Sequence, residues 1–414
     1  MRLYKRENYL KKIRGFYDEY DIIKVITGVR RCGKSTLMEI IVSELIERGV
    51  SEDNIIFINL DKRGYKSIKT ADALEQCIDE KNTSDGLKYL FIDEIQNVNG
   101  FEEVINAYRE EGDYSIFITG SNSYLLSGEL VTKLTGRYLE FEMFPLSFSE
   151  YENMKKFYGK KIDSNLQIEL NNYILESGFP RTIFLDNPLD KRRYVQGIIQ
   201  EIFEKDIRKR VKIRKKDTFE IVCRYIINNF GATTSINNIC DELKKNGLGI
   251  GKATVSRYIK ALADAKILYE CDRFDMKSKK SLSGEKKYYL ADLGFFFAEN
   301  TDNRINYGPT LENILYIYAR SKDCSLSVGR IGKLECDFII RNARQEYSYV
   351  QVAYTIAQNR DTENREYRPL EQIKDNYPKY VMTTDYLLQK RNGIIHANVL
   401  EYMMSEKAFE MNSH

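Results

Sequence analysis

Histidine is almost missing from this sequence: His396 and His414 are the only two in 414 residues. The seven cysteines (32, 77, 223, 240, 271, 324, 336) are odd in number and scattered, and no Cys-x-x-Cys pair occurs. These absences exclude the usual zinc frameworks, and the cysteines read as reduced thiols. No apolar run approaches the ~18 residues of a membrane span. The first residues, Met1-Arg2-Leu3-Tyr4-Lys5-Arg6-Glu7-Asn8, lack a secretory apolar core. A cytoplasmic protein with no membrane partner is expected. Charge imbalance is also missing, since 64 basic residues against 61 acidic leave a net +3. That is too little to hold a polyanion without a local basic patch. Repeats and low-complexity tracts are absent, and the 43% hydrophobic and 30% charged content is that of a globular chain. The length suggests roughly two to three domains.

Against these absences, Gly28-Val29-Arg30-Arg31-Cys32-Gly33-Lys34-Ser35 stands out. It follows the β-branched run 22–27 and opens a stretch where Leu37, Met38, Ile41, Val42 and Leu45 recur at helical spacing. A strand, a glycine-punctuated turn and a helix start aim backbone N–H groups and a positive dipole end at one point. Lys34 adds a cation for the β/γ-phosphates, and the Ser35 hydroxyl can ligate Mg²⁺. Gly28, Arg30, Arg31, Cys32, Gly33, Lys34, Ser35 and Thr36 are therefore the candidate ATP-binding residues. Cys32 reads as a loop-filling residue.

Asp93 follows Lys34 by 59 residues, at the end of the apolar run Tyr89-Leu90-Phe91-Ile92-Asp93-Glu94. A buried strand ending in two carboxylates suits the metal side of a nucleotide site, with Asp93 on Mg²⁺ and Glu94 polarising the attacking water. Five runs suit a parallel sheet: 22–27, 55–60, 89–93, 115–119 and 137–141. The fourth ends in Gly120-Ser121-Asn122, where Ser121 or Asn122 would lie beside the carboxylates and could orient the water. An ordinary polar turn is the alternative.

The loop GVRRCGKST, the acidic strand YLFIDEIQNV, the turn ITGSNSYLL and the segment LTGRYLEFEMFPLSFSEY together resemble an AAA-type ATPase clade of bacteria and archaea with a poorly defined C-terminal domain. The resemblance covers nearly the whole chain and is strongest over 22–151. It implies a P-loop AAA+ core at 1–146, a helical lid at 147–204, ATP and Mg²⁺ as cofactors, and a homo-oligomer. Lys34 and Ser35 would be the first-motif residues, Asp93 and Glu94 the second-motif pair, and Ser121 or Asn122 the first sensor. Arg137 would be an arginine finger, completing the catalytic set Glu94, Asn122 and Arg137; a strand-edge salt bridge is its other reading. Arg181 could act as a second sensor or be a solvated arginine.

Lys205 to Lys216 carries eight basic residues against one acidic and reads as a linker or exposed helix between halves. Residues 217–300 have the order of a winged helix: a helix over 219–229, a capped start at Thr233-Thr234-Ser235, a helix opening at Lys252, then a hairpin with the basic stretch 277–287. Thr254, Ser256, Arg257 and Lys260 are types that touch phosphates and bases. Lys252 to Lys287 holds ten basic residues and five acidic, so duplex DNA is the expected partner, with protein docking the alternative. Residues 301–405 have the order of a restriction-endonuclease-like α/β domain. Asp337 and Gln351 fit its motif and Glu312 could add an acid, but the lysine position is Ala353. Unless Lys333 or another lysine has moved into the site, nothing stabilises a pentacovalent phosphate. A degenerate nuclease fold without cleavage activity is expected. The chain reads as an α/β ATPase coupled to a DNA-binding unit. An ATP-controlled nuclease and a nucleotide-switched protein scaffold are the alternatives.

Overall fold

Each of the five apolar runs of the first half becomes a strand: β1 Ile23–Gly28, β2 Ile55–Asn59, β3 Lys88–Asp93, β4 Tyr114–Thr119 and β5 Tyr138–Met143. The computed structural model describes residues 2–82, 84–120, 134, 136–208, 211, 213, 215–300, 304–407 and 409. Ser121 and Asn122 lie outside the described residues. All five strands pair in parallel, in the spatial order β2-β3-β4-β1-β5. Parallel neighbours need crossovers, and the helices Lys34–Glu47, Ala71–Asp79 and Phe101–Glu111 provide the first three. β1, β3 and β4 are buried along their whole length, which is why they read as unbroken apolar runs. Ile92, Ile116 and Ile118 pack there against Leu74, Ile78, Val104 and Ile105 of the helices. Because the strands are parallel, the ends of β1, β3 and β4 bring Gly28, Asp93 and Thr119 to the same edge of the sheet.

The chain divides into two compact units, Met1–Pro145 and Leu146–His414. The division falls beside the expected core boundary, but helices Phe148–Phe157, Leu166–Glu176 and Pro188–Ile202, in the stretch expected to form a lid, belong to the second unit. The basic stretch after Lys205 is therefore not the seam between halves. Helix Pro188–Ile202 continues through a wide turn at Phe203–Ile207, and its Gln196 side chain donates to Ala298 O at 2.9 Å, bridging that stretch.

Within the second unit, helices Lys216–Asn228, Ile236–Lys245 and Lys252–Asp264 precede a long hairpin, with β6 at Thr234–Ser235, β7 at Leu268–Asp275 and β8 at Lys280–Leu290. Ser235 caps its helix by accepting from Asn238 N at 3.1 Å. Next come β9 Ser325–Ile331, β10 Leu334–Arg341, β11 Tyr347–Val352, β12 Lys379–Thr383, β13 Lys390–Arg391 and β14 Ile394–Asn398. They form one nine-stranded sheet ordered β13-β14-β12-β11-β10-β9-β7-β8-β6. β7 pairs with β9 in parallel at Arg273↔Val328, so the hairpin and the strands beyond residue 301 share a sheet. Helix Arg360–Glu371 is started by the Asn359 cap and carries Pro369 in its last turn. Its charged composition hid the period, since its only buried residues are Glu366, Tyr367, Pro369 and Leu370.

Candidate functional site

The first unit's site is built on the sharp exit of β1. Gly28 has φ +138°, and a Cβ there would lie 2.1 Å from Met143 O, so only glycine fits. Arg31 takes the left-handed conformation at φ +70°, and Gly33 follows at φ +111° as the N-cap of helix Lys34–Glu47. No side chain caps that helix. Its first N–H groups are left to an external acceptor, which is the condition for an anion site. Lys34 is buried, its ammonium lying 3.0 Å from Gly28 O and 3.2 Å from Val29 O. Cys32 is wholly buried inside the loop, and burial pushes its thiol up. This matches a filling role.

One residue that the sequence did not single out braces the loop. The buried Arg6 guanidinium donates to Cys32 O at 3.1 Å, Phe144 O at 2.9 Å and Pro145 O at 3.3 Å. It also lies 4.6 Å over the Tyr9 ring. A planar fork can span three carbonyls in this way, and a single ammonium cannot. The phosphate loop is thereby tied to the chain leaving β5.

Asp93 and Glu94 lie at the end of β3. Asp93 is held on both oxygens, by Asn59 Nδ2 at 2.7 Å and by Thr119 Oγ1 at 2.5 Å. Asn59 and Thr119 end the strands on either side of β3, so the sheet itself orients the carboxylate. Glu94 adopts φ +60°, and its N–H donates to Thr119 Oγ1 at 3.1 Å. Its Oε2 accepts from Gln96 at 2.5 Å and lies 3.9 Å from Arg30 Nη2. Burial pushes the Glu94 carboxyl up, while Lys34 and Arg30 pull it down. A carboxylate poised between these pressures is suited to taking a proton from water.

The residues present fit Mg²⁺–ATP. Ser35 sits in the first turn of the uncapped helix and Asp93 presents a fixed carboxylate at the same edge of the sheet. Arg31 and Thr36 are exposed beside them. Arg137 is placed differently: it precedes β5, whereas the phosphate loop leaves the other end of β1, and Ile23 pairs with Tyr138 while Gly28 pairs with Met143. Its guanidinium donates to Asn106 at 2.8 Å and lies 3.5 Å from Glu110. In its own unit it therefore makes the strand-edge contacts of its second reading.

In the second unit, helix Lys252–Asp264 buries Val255, Tyr258, Ile259 and Leu262 and exposes Lys252, Ser256, Arg257 and Lys260. The hairpin tip exposes Lys277, Lys279 and Lys280. The other two lysines of the basic stretch are turned inward or paired. Lys286 meets Glu270 at 2.6 Å and Asp272 at 3.1 Å, and Lys287 is buried. Arg181 is exposed and lies 5.7 Å over Phe184. Among the described residues no helix is long and apolar enough to cross a membrane.

Residues 20–152 match the family described as an AAA domain, and residues 167–303 match a domain of unknown function. A Haemophilus influenzae protein described as uncharacterized is 35% identical over 405 residues, covering 96% of this chain and 98% of its own. An uncharacterized Methanocaldococcus jannaschii protein is 30% identical over 366 residues, covering 85% of this chain and 79% of its own. A solved Walker-type ATPase of Pyrococcus abyssi shares the fold with a TM-score of 0.50 and 16% identity, over 72% of this chain and 96% of its own.

Proposed function

This chain belongs to the same family as the Haemophilus influenzae and Methanocaldococcus jannaschii proteins and carries an AAA domain, and on that premise we propose that it is a Mg²⁺-dependent ATPase whose turnover drives a DNA-binding C-terminal unit. The observation that carries the first part is the uncapped helix start at Gly33-Lys34, with Asp93 and Glu94 held at the same sheet edge by Thr119. Lys34 and the helix N–H groups bind the phosphates, and Ser35 and Asp93 hold the metal. Bound Mg²⁺ would supply charge neutralisation on the phosphate oxygens. Glu94 orients water and accepts its proton. Arg30 faces the same carboxylate, and the phosphate loop is held rigid by Arg6. Asn122 or Ser121 serves as a polar sensor after β4, and Arg137 reaches a neighbouring subunit's phosphate within an oligomer.

The three helices and the β6–β8–β7 sheet support a winged-helix reading of 217–300, with Lys252–Asp264 as the recognition helix. Its exposed Lys252, Arg257 and Lys260, and the tip lysines 277, 279 and 280, fit phosphate contacts. The test is the ATPase rate of the full chain with and without duplex DNA, with Lys34→Ala as control and nicking checked in the same tubes. The expected result is Mg²⁺-dependent hydrolysis that DNA accelerates. Lys34→Ala loses nucleotide binding, and Glu94→Gln binds ATP but turns over roughly 10²-fold or more slowly. A rate indifferent to DNA, with no DNA binding at low salt, would leave a nucleotide-switched protein scaffold.

A further inference from the structure

The acidic cluster of the second unit already contains a cation. Lys287 on β8 is 5% exposed, and its ammonium lies 3.0 Å from Glu312 Oε2 and 3.0 Å from Glu335 Oε1. The Tyr289 hydroxyl donates to the same Glu312 oxygen at 3.1 Å. A strand sends alternate residues to opposite faces, so Lys286 points to Glu270 and Asp272 while Lys287 turns inward. Three elements thus meet on one lysine: the hairpin, the helix Tyr307–Ser321 that carries Glu312, and β10 that carries Glu335.

The remaining acid-site residues are committed as well. The β10 register shifts between Cys336 and Ile339, and this irregularity presents Asp337. Its Oδ2 accepts from Val352 N at 2.8 Å. Gln351 is spent on other partners, accepting from Asp337 N at 3.3 Å and donating to Glu366 at 3.0 Å. Ala353, at the position where the nuclease motif has lysine, packs with Ile356, Tyr367 and Leu370 in an apolar cluster. Among the described residues, no three His, Cys, Asp or Glu side chains are grouped to hold a metal ion.

We propose that Lys287 is a built-in counter-ion, filling the place a divalent metal takes in a nuclease of this fold. The acid cluster then binds no metal and instead fastens the basic hairpin to the helix and strand behind it. The proposal rests on the nuclease-like reading of residues 301–405 and deepens it. A buried carboxylate group must be neutralised by something, and an ammonium already between two of its members repels a second cation. Burial works against the charged lysine, yet Glu312, Asp337 and Glu335 outweigh it and hold the ammonium above the usual lysine range. Asp337 is pushed well above the usual carboxyl range by burial, with Glu312 adding to it. Arg273 adds a second tie, meeting the other Glu335 oxygen at 3.0 Å. The tip lysines 277, 279 and 280 are thus carried on a hairpin clamped at its base.

The test uses the full chain without nucleotide, in the Lys34→Ala background, and reads bound Mn²⁺ by electron paramagnetic resonance together with the unfolding midpoint. Any Mn²⁺ bound by the parent should be unaffected by Asp337→Asn. Lys287→Met should lower the midpoint by about 5–10 °C, because it takes the cation from the Glu312 carboxylate and leaves Glu335 with Arg273 alone. It should also gain one equivalent of Mn²⁺ that partly restores the midpoint, and Asp337→Asn should remove that gain. If Lys287→Met does not fold, Lys287→Met with Glu312→Gln removes one charge of each sign and should recover the midpoint without metal. The proposal is overturned if the parent binds Mn²⁺ in a way Asp337→Asn abolishes, or if Lys287→Met neither loses stability nor gains a metal. Mn²⁺-dependent cleavage of duplex DNA that Lys287→Met abolishes would also overturn it, making Lys287 the lysine of a working nuclease. DNA-stimulated ATP hydrolysis is read separately and is unaffected by these outcomes.

Discussion

Thr119 Oγ1 donates to Asp93 Oδ1 at 2.5 Å and accepts the Glu94 backbone N–H at 3.1 Å. One hydroxyl at the end of β4 therefore sets both the expected metal ligand and the backbone that aims the expected base. Thr119→Val keeps the shape and removes the hydroxyl, leaving the Glu94 N–H without its partner. An unsatisfied buried donor costs about 1–3 kcal/mol. The expected outcome is ATP affinity within a few-fold of wild type and kcat lower by roughly tenfold or more, with Thr119→Ser retaining most activity. Isothermal titration beside steady-state kinetics checks this. Unchanged kcat in the valine variant would remove Thr119 from the machinery.

Arg6 is expected to control nucleotide affinity without being placed against the nucleotide. Arg6→Ala removes the guanidinium donor from the carbonyls of Cys32, Phe144 and Pro145, a loss of roughly 3–4.5 kcal/mol at about 1–1.5 each. The loop it braces should loosen and ATP binding should weaken by tenfold or more. Arg6→Lys should recover little, because one ammonium cannot reproduce the fork. If Arg6→Lys binds ATP as well as wild type, the brace is a matter of charge alone.

Arg6 also marks the limit of what the sequence discloses. Lys34 and Ser35 were legible because strand, loop and helix start are contiguous, and Asp93 and Glu94 because they end an unmistakably buried run. β1, β3 and β4 announced themselves for the same reason: burial on both faces leaves no polar alternation to confuse the reading. Arg6 meets Phe144 across 138 positions, and no local pattern encodes that contact. Thr119 looked like one more polar residue at a strand end, since its role depends on which strand lies next to it. Lys286 and Lys287 are adjacent members of the basic stretch 277–287, and only the pairing of β8 with β7 decides which lysine turns in. The parallel pairing of β7 with β9 had no signature at all. It joins two segments whose own patterns are complete without it.

A buried lysine in β1 gives the first unit a pH-dependent stability. Lys24 is wholly buried beside Phe117, donates to Ser115 Oγ at 2.9 Å, and is lowered to about 7 by burial, against the opposing pull of Glu19 and Asp18. Between that value and the ordinary lysine range, the unfolded chain carries a proton that the folded chain does not. Stability from this group therefore rises with pH across about 7 to 10.5 and is flat below. At ~1.4 kcal/mol per pKa unit, the gain over that span is on the order of 5 kcal/mol. Lys24→Met should remove that rise, whatever its effect at a single pH. Denaturant unfolding of both proteins at pH 7, 8.5 and 10 checks this; parallel curves for the two would show that Lys24 keeps its proton.

Arg137 provides the last prediction, because its position separates two roles. In its own unit it lies at the start of β5, paired with Asn106 and Glu110, away from the strand ends where Gly28 and Asp93 meet. Its side chain is 42% exposed, so a neighbouring copy can approach it. If it acts across a subunit boundary, specific ATPase activity should rise with protein concentration, and Arg137→Ala alone should lower kcat by roughly 10³-fold while sparing ATP binding. Lys34→Ala alone should be inactive for want of nucleotide. Mixing the two variants should restore some activity, since some interfaces then join an intact phosphate loop to an intact arginine. The Glu110 contact supplies the control: Glu110→Gln breaks the ion pair without touching the guanidinium and should leave kcat within a few-fold. A salt-bridge role alone would instead make Arg137→Ala and Glu110→Gln behave alike, with no recovery on mixing and no dependence on concentration.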